Sequence, residues 1–149
     1  MRRRPKIELA AALILAVTLG LTAAPAAPAG ETVEVHVTVA EVSDRPGAVE
    51  PGAASLYQAL SRDFRYRSVR LVESRDFRLG LNETGSLRLP TGRWLTVKPR
   101  KMGPSGVLMA VEIEGRLRTT LRMPSHHEVL IGAEPFGDGK LVVTLEPRF

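Results

Sequence analysis

The chain has 149 residues, 44% of them hydrophobic, no cysteine and a formal net charge of +5. That length suits one domain, and the lack of cysteine excludes disulfides, cysteine-built zinc sites and a cysteine-linked lipid anchor. Four of the 21 Lys and Arg residues precede Gly30 against a single acid, Glu8, so the rest of the chain is nearly neutral and its charge gives no ground for nucleic-acid binding.

Residues 1–29 have the three parts of a secretory signal peptide. Arg2, Arg3, Arg4 and Lys6 form a basic start, Leu9 to Leu21 is apolar, and Ala23 to Gly30 is small and broken by proline. Ala27-Pro28-Ala29 and Ala24-Pro25-Ala26 both fit the small-x-small rule, so cleavage is expected after Ala29 or Ala26. The apolar run falls short of the roughly 20 residues that span a bilayer. The expected location is therefore the periplasm or the medium. An uncleaved helix anchored in the inner membrane is the alternative, and a twin-Arg signal a further one.

Residues 30–149 are expected to form a single β domain. Val33, Val35, Val37 and Val39 alternate with Glu34, His36 and Thr38, the period of a half-buried strand. The phase changes after Ala40, where Val42 falls on the other face, and a bulge is expected there. Pro51 to Phe64 is the one helix candidate. Leu56, Leu60 and Phe64 form a narrow stripe that would cover one side of a sheet. Extended patterns follow at Tyr66–Glu73 and at Phe77–Leu81, the latter expected to form a hairpin with Ser86–Leu89 across Asn82-Glu83-Thr84-Gly85. Arg93 to Lys98 is a strand, and Pro99 to Gly106 a loop. Val107 to Glu114 pairs with the run after Gly115. A three-residue turn at Gly115-Arg116-Leu117 would set Glu114 opposite Arg118 and Val111 opposite Leu121. A short strand at Glu128–Gly132, a turn at Phe136-Gly137-Asp138-Gly139 and a last strand through Leu141, Val143 and Leu145, ended by Pro147, complete the chain. Eight or nine short strands with one surface helix point to an antiparallel β-sandwich, with a partly open barrel as the alternative.

Motifs for chemistry are sparse. No serine lies in a Gly-x-Ser-x-Gly elbow, and the neighbours Ser125, His126 and His127 lack the convergence from separate elements that a triad needs. No catalytic residue is assigned. His126 and His127 are the residues a metal site would use, but on a strand they point to opposite faces, so no metal or other cofactor is expected. Glu112 and Glu114 on one strand face suit an ion-paired surface. Met102-Gly103-Pro104-Ser105-Gly106 lacks the Lys-Ser/Thr of a phosphate loop. One cluster stays open as a binding site: Arg62, Arg65, Arg67, Arg70, Arg75 and Arg78, interleaved with Phe64, Tyr66 and Phe77, which could meet an anionic lipid or glycan. The preference for arginine over lysine also suits a GC-rich genome.

Val33–Ser43 (VEVHVTVAEVS) and Glu128–Arg148 (EVLIGAEPFGDGKLVVTLEPR) resemble the strand signature of the secretin core, with Ala133 where that family has a second glycine. The chain is too short for a secretin's ring domains and barrel, so the resemblance implies the neighbourhood of a secretion apparatus, not a channel.

The expectation is an exported bacterial envelope protein acting as a non-enzymatic binding or assembly module. Its partner would be another envelope protein met through a strand edge. The alternatives are an accessory of a secretin-like apparatus and a hydrolase with a dispersed active site. A concave site joining His36, His127 and an acid would favour the enzyme; a filled core under a charged face, the binder.

Overall fold

A computed structural model describes residues 30–62 and 65–149. The signal-peptide expectation, with both cleavage sites, and Phe64 of the expected helix lie outside these residues.

The elements are β1 (Thr32–Ser43), a 3-10 turn (Pro51–Ala53), α1 (Ala54–Ser61), β2 (Ser68–Gly80), β3 (Gly85–Arg88), β4 (Trp94–Gly103), β5 (Gly106–Ile113), β6 (Leu117–Met123), β7 (Val129–Phe136) and β8 (Gly139–Arg148). They build two four-stranded sheets, ordered β2-β1-β8-β7 and β3-β4-β5-β6. Every strand pair is antiparallel. Neither sheet closes on itself, so the molecule is a sandwich and not a barrel.

The main core lies between the sheets. Val33, Val35, Val37 and Val39 of β1 meet Leu95 and Val97 of β4, Met109 and Val111 of β5, and Val143 and Leu145 of β8. These residues are the apolar phase of alternating strands, and burying each side chain is worth about 1.5–3 kcal/mol. A second core lies on the outer side of the first sheet. There Ala40 and Val42 of β1, Val69 of β2 and Val142 of β8 are covered by Ala53, Leu56 and Leu60. The helix runs eight residues and has no side-chain cap. A helix that short is not stable alone, so α1 rests on this packing.

The phase change on β1 has a different cause from the expected bulge. β1 pairs with β8 without interruption from Glu34↔Arg148 to Val42↔Lys140. Ala40 and Val42 keep the outward phase of Glu34, His36 and Thr38, and are apolar because α1 covers that end. The bulge belongs to β2, where Val72 has no partner between Leu71↔Ala40 and Glu73↔Val39. The expected strands Tyr66–Glu73 and Phe77–Leu81 are likewise not separate: their residues from Ser68 to Gly80 form the single strand β2, which runs through that bulge.

Three further expectations are corrected. Phe77–Gly80 and Ser86–Arg88 do not pair as a hairpin. β2 pairs with β1, and the turn after it carries the chain into the other sheet, where β3 pairs with β4. A Cβ on Gly85 would lie 2.9 Å from the Phe77 ring, so glycine permits this close approach of the layers. Pro99–Gly106 is mostly strand: β4 continues through Pro99, and only Pro104 and Ser105 separate Gly103 from its partner Gly106. The proline is tolerated because the ladder is broken beside it, at the unpaired Arg100. The β5–β6 turn is Glu114-Gly115-Arg116, so Glu112 and not Glu114 faces Arg118, and Met109 faces Leu121. The shift is two residues along the strand, which keeps every side chain on its expected face. Gly115 takes a φ of +67° within this turn.

Candidate functional site

The clearest hollow lies where the two sheets gape between β6 and β7. It has a volume of about 270 Å³ and is floored by Ile113, Leu117, Ile131, Leu141 and Val143. Two features of β7 open it. The ladder slips at Ile131, between Leu130↔Thr144 and Gly132↔Val143. Gly132 then presents no side chain, and a Cβ there would come 3.0 Å from Ile113 Cδ1.

Glu134 lines this cleft. It pairs with Leu141, a core residue, so its side chain takes the inward phase of β7 and is only 11% exposed. Its Oε2 lies 3.3 Å from Arg116 Nε and 3.5 Å from Arg93 Nε. Its Oε1 is buried and has no hydrogen-bond partner. A buried acceptor left unsatisfied costs about 1–3 kcal/mol. Arg93 is tied further, its Nη1 donating to Glu114 O at 2.9 Å. The cleft therefore joins an apolar floor to a mostly buried, ion-paired carboxylate and one cationic donor in its lining, Arg116.

The outer face of the first sheet carries a polar network near the middle of β1. His36 Nδ1 lies 2.6 Å from Asp76 Oδ1, and Ser74 Oγ lies 3.2 Å from His36 Nε2. A carboxylate can only accept, which puts a proton on Nδ1; in the neutral ring Nε2 then accepts from the Ser74 hydroxyl. The bonding order is that of a serine–histidine–acid relay. The setting is that of a cross-strand tie, because Asp76 is 57% exposed and no hollow described in the structure includes Ser74. Beside it, Arg148 Nε donates to Glu146 Oε1 at 3.0 Å, and this bond holds the Glu146 carboxyl below its ordinary value of 4.5.

The six arginines singled out in the sequence do not share a face. Arg62 follows α1, and Arg65 and Arg67 lie in the connection to β2. Arg70 and Arg75 face the inward side of that edge strand and pair with Glu41 and Glu73. Arg78 faces outward opposite Glu34. His126 and His127 lie in the β6–β7 connection. His126 has a φ of +59° and its Nδ1 is 3.9 Å from Glu146 Oε1. His127 bonds to Ser125 O at 3.0 Å rather than joining His36. Among the described residues no group of three or more His, Asp or Glu side chains could hold a metal ion.

Sequence reasoning missed Glu134, Arg93 and Arg116. An acid in the core phase of a strand is a signal, but here the phase is set by the slip at Ile131, which the sequence does not announce. Ser74 and Asp76 were more accessible, since i and i+2 on a strand share a face; what was lacking was the register that brings His36 to them.

Comparison of the chain with family models, with curated proteins and with solved structures finds no match.

Proposed function

We propose that the protein is an exported envelope binding module that holds an extended segment of a partner polypeptide at the open side between β6 and β7. The cleft around Glu134 carries this reading. An extended peptide supplies apolar side chains for its floor and a carbonyl for Arg116. The adjoining edge supports the same choice. β2 is bulged, β3 has four residues, and β7 is both bulged and interrupted by Pro135, all features that blunt an edge. β6 keeps an unbroken register with β5 from Leu117 to Met123 and contains no proline, so it is the edge best able to accept another strand.

A photo-crosslinking amino acid at Leu117, with Arg78 as the control position, tests the proposal in the native envelope. A discrete protein adduct at Leu117 and none at Arg78 is expected. Equal adducts at both positions, or none at Leu117, would overturn it. Identification of the adduct as a ring-forming component would specify the partner as a secretion apparatus.

A further inference from the structure

The outer face of the second sheet concentrates the charge that the sequence seemed to scatter. By register, its outward positions are Arg88 on β3, Trp94, Thr96, Lys98 and Lys101 on β4, Leu108, Ala110 and Glu112 on β5, and Arg118, Thr120 and Arg122 on β6. The break at Arg100 adds one more cation. Without it, Arg100 and Lys101 would alternate across the sheet. With it, Lys101 pairs with outward Leu108 while Arg100 lines the same outer surface. Six cations thus face outward against two acids: Glu112, which Arg118 engages at 2.8 Å, and Glu114, whose Oε2 accepts from Trp94 N at the edge of the face. The opposite face of the sandwich is balanced, with Glu34, Asp76 and Glu146 beside Arg78 and Arg148. A domain that is nearly neutral overall is therefore polarised across its thickness.

This face is also hollowed. Ala110 sits between Lys98 and Thr120 in one cross-strand row, with long side chains in the rows on either side. The missing bulk leaves a polar depression of about 380 Å³, lined by Lys98, Arg100, Thr96, Thr120 and the Glu112–Arg118 ion pair. On the same face, two residues along β4 from Thr96, Trp94 is 45% exposed, and the Arg88 guanidinium lies 5.7 Å from its ring centroid.

We propose that this depression binds an acidic polysaccharide. Lys98 and Arg100 would take the carboxylates, the Thr96 and Thr120 hydroxyls the sugar hydroxyls, and Trp94 the apolar face of a ring further along β4. The shape and the hydroxyls favour a sugar over a lipid surface, because no exposed apolar stripe accompanies the cations on this face. A single aromatic favours it over a nucleic acid, whose single strands need a series of stacking platforms. The site is separate from the β6–β7 cleft, so its failure would leave the proposed function standing, and the reverse.

Polygalacturonate binding by the full chain, measured by calorimetry at low and at physiological salt, tests this. Lys98→Glu with Arg100→Glu should lower affinity at least about tenfold, and affinity of the unaltered protein should fall as salt rises. Trp94→Ala should weaken binding by a few-fold. Arg75→Glu with Arg78→Glu, on the other sheet, should change nothing. All four positions changed to Glu are exposed or half-exposed, and circular dichroism verifies that the variants fold. No binding of polygalacturonate, an unchanged affinity in the Lys98/Arg100 variant, or tighter binding to phosphatidylglycerol vesicles or a single-stranded DNA 30-mer would overturn the proposal.

Discussion

Glu146 shows how a single residue ties this fold to pH. Its hydrogen bond to Arg148 lowers the carboxyl from 4.5, with the nearby charges of Arg148, His36 and His126 acting in the same direction and partial burial opposing them. A carboxyl depressed in the folded state adds stability that is fully present above its unfolded value and is lost as pH falls through the folded one. The exposed Glu112 is lowered by Arg118 in the same sense. Denaturation midpoints should therefore be level above about pH 5 and decline below it. Arg148→Ala should flatten part of that acid limb. A midpoint that rises on acidification would contradict the assignment. The effect should be modest, because the pair is largely exposed to solvent.

At the scale of elements, α1 and the bulges separate what patterning reveals from what it hides. The helix was legible because Leu56 and Leu60 stand one turn apart, and so was the valine strand, because its alternation is unbroken on the core side. Leu60→Ala should cost about 2–4 kcal/mol, since Leu60 is 4% exposed and removing it leaves a cavity over Val42 and Val69. Urea denaturation would measure this, and a cost under about 0.5 kcal/mol, typical of a surface site, would contradict it. The slips at Val72, Arg100 and Ile131 were hidden. Each depends on the register with the strand alongside, which is β1 for Val72 and the next strand of a hairpin for Arg100 and Ile131. Because a slip re-aims every following side chain, both candidate sites were hidden with them: Glu134 is turned inward beyond one slip, and Arg100 joins Lys101 through another. The cross-strand preference of acid for base was sound in kind, but two registers satisfied it equally, and the turn at Gly115 chose between them.

For the whole molecule, the pairing of β1 with β8 is the dominant fact. The two strands form the centre of their sheet, joining the β1–β2 pair to the β7–β8 hairpin. Contacts of such long sequence separation make folding slow, in the millisecond-to-second range typical of sandwiches. Removing residues 139–149 should abolish cooperative unfolding altogether, because it exposes the inner valines of β1 and leaves β7 without a partner. Calorimetry of the truncated chain should give no heat-absorption peak, and a surviving sharp transition would show that the second sheet folds by itself.

The same pairing governs what can happen while the chain is still being made. A ribosome delivers β1 about a hundred residues before β8, so throughout elongation the valine strand has no mate on one flank. The emerging polypeptide cannot lock into its final shape until its closing segment is free. If the protein is exported as proposed, that delay keeps it threadable.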